Sequence, residues 1–269
     1  MKKALGIAQG LLMTFAAFFT VSLIYTIITW GFILITGVEI INPQVDYCLM
    51  VMAVMLSSLI FYIWYKKYLS IRLRAQVNLK AVFSIKNIGI YIALGIGCQL
   101  FMSGVLSLIR PLFKTLFDYY DETINSIFIG DTLIAAVYVV ILAPVIEELM
   151  LRGILLNRLR YEIPFYAANL LQATVFGIYH WDIIQGIYAF GIGLILGYIF
   201  EKTKTLCAPI FVHMLINGSG FLIQETKIGE YISVWMAVVI GGVLLFTGLF
   251  GFIKSTKKDS MEKNDLHYD

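Results

Sequence analysis

Ala4–Val38, ALGIAQGLLMTFAAFFTVSLIYTIITWGFILITGV, runs without one Asp, Glu, Lys or Arg. It is far longer than the apolar region of a cleavable leader and long enough to cross a bilayer, so it reads as a retained, tilted or bent first helix behind Lys2 and Lys3. Uncharged runs then recur at 47–65, 87–109, 132–146, 163–181, 183–200, 205–224 and 231–253, each near the length of one crossing. These runs predict an all-α, polytopic membrane bundle of about eight transmembrane helices. Composition agrees: the 269 residues are 60% hydrophobic and 14% charged, and the mean hydropathy is +0.86, too apolar for a single water-soluble core.

The same numbers exclude other classes. A formal charge of +3 with basic residues confined to short loops is no nucleic-acid footprint. Cys48, Cys98 and Cys207 each sit in an apolar run, with neither a CxxC pair nor metal spacing, and read as packing residues. With a cytoplasmic N-terminus and one crossing per run, 17 of the 20 Lys and Arg residues fall on the inner side and only Arg110, Lys114 and Lys227 outside. Both termini are therefore expected in the cytoplasm, and the short loops suit a bacterial plasma membrane. Residues 1–130 are read as N-terminal transmembrane helices, 131–224 as a functional core, 225–253 as the last transmembrane helix and 254–269 as a polar cytoplasmic tail, all one membrane domain.

Charge at bilayer depth is costly, on the order of 2.5–3.5 kcal/mol per group, so each such group needs a partner or a task. Glu147, Glu148 and Arg152 lie in APVIEELMLRG, His180 in FGIYHWD, and His213 and Asn217 in FVHMLINGSG. Two of the three histidines thus sit in apolar runs. Residues four apart share a helix face, so Glu148 faces Arg152, leaving Glu147 to point elsewhere, toward a substrate or water. The same spacing pairs His213 with Asn217 and lets the Phe176 ring wall the His180 imidazole. Pro144 removes a backbone donor and can open or kink the fourth span. Gly153, Gly177 and Gly218 permit close helix approach. Counted from the turn near 161–164, Glu147 and His180 stand at similar depth, roughly 22–26 Å away, while His213 lies about 15 Å from the following turn.

Each feature also has a plain structural reading. Glu148 with Arg152 is an internal ion pair, a single buried histidine is a helix-to-helix hydrogen-bond partner, and Asn217 in NGSG could end its helix through the next glycine. Trp181 and Trp235 read as interfacial belt residues. Asp182 either orients the neighbouring imidazole or marks the outer interface.

At these residues the chain resembles the CPBP intramembrane proteases, the CAAX protease and bacteriocin-processing family also called Abi or Rce1-like. Their signature is EExxxR, FxxxH and HxxxN or HxxxD on successive membrane helices. Here it is filled by Glu147, Glu148 and Arg152, by Phe176 and His180, and by His213 and Asn217. The resemblance covers roughly residues 131–224. It implies peptide-bond hydrolysis in or beside the membrane, with Glu147 and His180 activating a water and His213 and Asn217 forming an oxyanion site. Glu148, Arg152 and Phe176 would be supporting structure. The favoured reading needs no cofactor. The family is also described as metalloprotease, and Glu147, His180 and His213 could instead supply the three ligands of a zinc site.

Expected partners are a peptide or protein substrate in the membrane and the lipids themselves, with no nucleic acid. The substrate would be membrane-associated or lipidated, cleaved in peptide maturation or bacteriocin self-immunity. Two other readings stay open: a non-catalytic scaffold or immunity protein retaining the protease fold, and a proton-coupled transporter, for which inverted repeats would be expected.

Overall fold

The computed structural model describes residues 2–38, 40–69, 77–127, 131–226 and 228–265, and these are helical with short connections. In chain order the helices are α1 (Lys2–Thr36), α2 (Pro43–Trp64), α3 (Leu79–Val82), α4 (Ile85–Ile109), α5 (Lys114–Ile127), α6 (Thr132–Ala136), α7 (Ala143–Glu148), α8 (Asn157–Leu159), α9 (Phe165–Tyr179), α10 (Ile183–Thr203), α11 (Cys207–Thr226) and α12 (Val234–Asp265). Part of the basic loop after Lys67 lies outside the described residues.

Helix ends follow local chemistry. Gly37, at φ +68°, takes the left-handed conformation just past α1, where its N–H donates to the Ile33 carbonyl at 2.9 Å. Asn42 accepts from the Val45 N–H at 2.8 Å and Pro43 opens α2. Asp131 caps α6 through the Leu133 and Ile134 N–H groups at 2.8 and 3.1 Å.

Among the described residues, seven continuous helical stretches are long and apolar enough to cross a membrane: Lys3–Thr36, Pro43–Lys67, Ile85–Leu112, Thr132–Leu159, Ile183–Thr203, Cys207–Thr226 and Val234–Thr256. They present apolar side chains outward, as lipid contact requires; Leu5, Leu12, Phe15, Phe19, Trp30 and Leu34 of α1 are all exposed. About eight crossings agree with this architecture, the expected fifth, 163–181, being shorter than these seven. There α9 is only 15 residues long, about 22 Å at 1.5 Å per residue and short of a roughly 30 Å hydrocarbon core. It stops because Trp181 adopts φ +55° and Asp182 then accepts the Gln185 N–H at 2.6 Å at the start of α10. Asp182 is buried and caps the start of α10.

Two further elements were not expected. α5, in what reads as an outer loop, is an amphipathic helix with Phe117 buried. The fourth span is not a uniform α-helix: Val137–Leu142 and Leu149–Leu156 are wound as π-helix. Pro144 accounts for the first, because it offers no N–H to the ladder; the Ala143 N–H bonds the Tyr138 carbonyl five residues back. α12 also continues past Ile253, into the stretch read as a polar tail.

The chain divides into two compact units, Met1–Arg74 with Thr115–Gly197, and Ala75–Lys114 with Tyr198–Asp269. In the first, the inner face of α1 is small (Gly6, Gly10, Thr14, Ala17) and packs on the second π-helical segment and α8. In the second, α4 packs on α11 and α12, around a cluster of Phe83, Tyr91, Phe211 and Phe252 rings.

Candidate active site

In the first unit, α7 and the π-helix after it carry Glu147, Glu148 and Arg152. Glu148 and Arg152 are each 0% exposed, and Glu147 is 8% exposed. Arg152 Nη1 donates to Glu148 Oε1 at 2.7 Å. Burying both charges is tolerable only because each is paired and hydrogen-bonded. Arg152 Nη2 donates to the Gly193 carbonyl at 3.1 Å, and its guanidinium carbon lies 5.1 Å from the Phe176 ring centroid, a cation–π contact.

Phe176 passes the arrangement on to His180. Their ring centroids are 4.8 Å apart at 65°, an edge-to-face geometry. His180 Nδ1 lies 2.9 Å from the Phe176 carbonyl. A carbonyl oxygen only accepts, so Nδ1 carries the hydrogen, and in the neutral ring Nε2 is left as the acceptor. A continuous chain therefore links Glu148, Arg152, Phe176 and His180. Tyr138, Tyr179 and Tyr188 come within electrostatic range of Glu147.

Residues absent from the sequence reading complete this shell. Gln172, fully buried, donates through Nε2 to the Gly193 carbonyl at 2.9 Å and to Asn169 Oδ1 at 2.8 Å. Asn169 Nδ2 donates to the Leu194 carbonyl at 3.0 Å. Both face α10 from the same side of α9 as Phe176, and the signal available was that spacing: Asn169, Gln172, Phe176 and His180 recur at three and four residues. Gly177 and Gly186 bring α9 and α10 together, since a Cβ on Gly177 would stand 2.7 Å from the Gly186 carbonyl oxygen.

In the second unit, His213 and Asn217 lie four apart on α11, His213 being 3% exposed. α11 continues to Thr226, so Asn217 is a mid-helix residue and does not end its helix. A Cβ on Gly95 of α4 would collide with Leu215, which shows how closely those two helices approach. The zinc alternative drew Glu147 and His180 from one unit and His213 from the other. Among the described residues of either unit, no three His, Cys, Asp or Glu side chains are grouped to hold a metal.

Residues 129–219 match the family of type II CAAX prenyl endopeptidase Rce1-like proteins. That segment is similar to the Rce1-like family. The resemblance read from the EExxxR, FxxxH and HxxxN residues is thereby shown where those residues lie. Among characterised sequences the chain is similar to the candidate membrane peptidase YdiL of Bacillus subtilis, 29% identical over 39% of this chain and 44% of the relative. It is also similar to the membrane-embedded CAAX protease MroQ of Staphylococcus aureus, 30% identical over 32% of this chain and 38% of the relative. The match thus spans less than half the length of either relative. No solved structure matches the chain.

Proposed function

We propose that the protein is an intramembrane endopeptidase that hydrolyses a peptide bond in a membrane-associated or lipidated peptide or protein. One observation carries this reading: the unbroken contact chain from Glu148 through Arg152 and Phe176 to His180, which holds a buried carboxylate helix and an imidazole in register within an Rce1-like segment. An ion pair serving the fold alone needs neither a stacked ring nor a histidine with its tautomer set.

Glu147 takes a proton from a water whose oxygen bonds to the scissile carbonyl carbon, and His180, held by its Nδ1 hydrogen bond, orients that water through Nε2. His213 and Asn217 donate to the oxyanion, an effect worth on the order of 3 kcal/mol per donor. Collapse breaks the C–N bond, and the proton held by Glu147 passes to the departing amine. Glu148, Arg152 and Phe176 hold the arrangement. No metal takes part, so cleavage should survive exhaustive chelation. The setting is a bacterial plasma membrane with both termini cytoplasmic, and the role is peptide maturation or bacteriocin self-immunity.

The test is quantitative N-terminal peptide mapping of cells carrying wild type, Glu147→Ala or His213→Ala at equal membrane levels. Termini lost in both variants support the reading and supply substrates. Three identical maps would sink it and leave a scaffold that keeps the protease fold.

A further inference from the structure

α9 ends badly for a helix that must hold a reactive side chain still. The His180 N–H reaches the Gly177 carbonyl at 3.4 Å, the Trp181 N–H reaches the Ile178 carbonyl at 3.1 Å, and Trp181, 86% exposed, leaves the helix at φ +55°. These bonds skip three residues instead of four, the loosened geometry of a terminal turn. The imidazole is nevertheless clamped on two sides, by Phe176 at 4.8 Å and by Tyr179, whose ring centroid lies 5.5 Å away at 74°.

Tyr179 is itself held by α1. The Phe18 ring stacks on it with centroids 4.4 Å apart and planes within 10°. Phe18 turns inward, whereas Phe15 and Phe19 on the same helix are 75% and 68% exposed. α1 is tied down on either side of Phe18. Arg158 Nη2 donates to Gln9 Oε1 at 2.9 Å while Nη1 donates to Glu162 at 2.8 Å, and the Tyr25 hydroxyl donates to Asp46 on α2.

We propose that Phe18 is a positioning residue for His180, acting through Tyr179, so that the first helix, outside the Rce1-like segment, forms part of the catalytic device. This rests on the assignment of His180 above, but the geometry it predicts can be read without any cleavage. The chain has only three histidines, His180, His213 and His267, so imidazole ¹⁵N spectra of the full-length protein in detergent are simple to assign with His180→Gln and His267→Gln.

Phe18→Leu keeps apolar bulk and removes the ring; Phe18→Tyr keeps the ring. The His180 signal should shift or broaden in Phe18→Leu, return in Phe18→Tyr, and leave His213 unmoved throughout. The rate at which the termini mapped above appear should fall roughly three- to tenfold in Phe18→Leu, the scale of one aromatic contact, and recover in Phe18→Tyr. An unchanged His180 signal in folded Phe18→Leu overturns the proposal, as does equal perturbation of His213 or equal loss in both variants. If wild type yields no such termini while the His180 signal still responds, the protease reading fails and the positioning contact stands.

Discussion

Arg152 lies with its guanidinium carbon 5.1 Å from the centre of the Phe176 ring, so the residue that neutralises Glu148 also props the ring that walls His180. Two sequence motifs from different helices meet in that contact. Damage to either is therefore expected at the other.

Arg152→Met leaves Glu148 buried without its cation, a change that costs about 3–5 kcal/mol. Thermal unfolding of the detergent-solubilised protein should show a large fall in Tm. Adding Glu148→Gln should return part of it, because the stranded charge is then gone. If the double variant is no more stable than the single one, the pair is not what holds this segment.

Gln172→Leu removes a donor shared between the Gly193 carbonyl and Asn169, with little change in side-chain volume. Asn169 Oδ1 loses that partner in a buried setting, and a loss of about 1–3 kcal/mol is expected in the same unfolding measurement. Unaltered stability would mean that α9 does not depend on this bond.

Gly186→Val should separate α9 from α10. A Cβ at Gly186 would stand 2.8 Å from the Gly177 carbonyl oxygen, which is backbone and cannot swing aside. The helix bearing His180 should shift, seen as lost stability together with a displaced His180 imidazole signal. Gly191→Ala on the same helix, where a Cβ meets nothing within 4 Å, is the control and should be silent.

Glu147→Gln should behave in the opposite way to Arg152→Met. It removes charge from a nearly buried site while preserving shape, so the fold should keep or gain stability. Under the proposed chemistry the mapped termini should nevertheless disappear. Retention of those termini would remove Glu147 from the role of base.

What spacing can encode was legible before any coordinates. A helical period places Glu148 with Arg152, and Phe176 with His180, because both partners of each pair lie on one helix and four residues make nearly one turn. The fifth run, 163–181, was legible as an apolar helix, but not that its helix would be trimmed to Phe165–Tyr179. Hydropathy counts charges and is blind to the backbone at Trp181, which takes φ +55° and hands over to a capping Asp182. The π-helical windings escaped for a similar reason, although Pro144 marked the place.

The sequence by itself determined that this chain is a bundle of apolar helices carrying a few charged and imidazole side chains inward, because transfer free energies act residue by residue and helical geometry is local. Only the tertiary structure decided that Arg152 reaches Phe176 and Gly193, that Gln172 and Asn169 fasten α9 to α10, and that Phe18 lies on Tyr179. Phe18 and Tyr179 are 161 positions apart in the chain. Contacts of that kind arise from which small residues let which helices approach, a property of packing that no single helix contains.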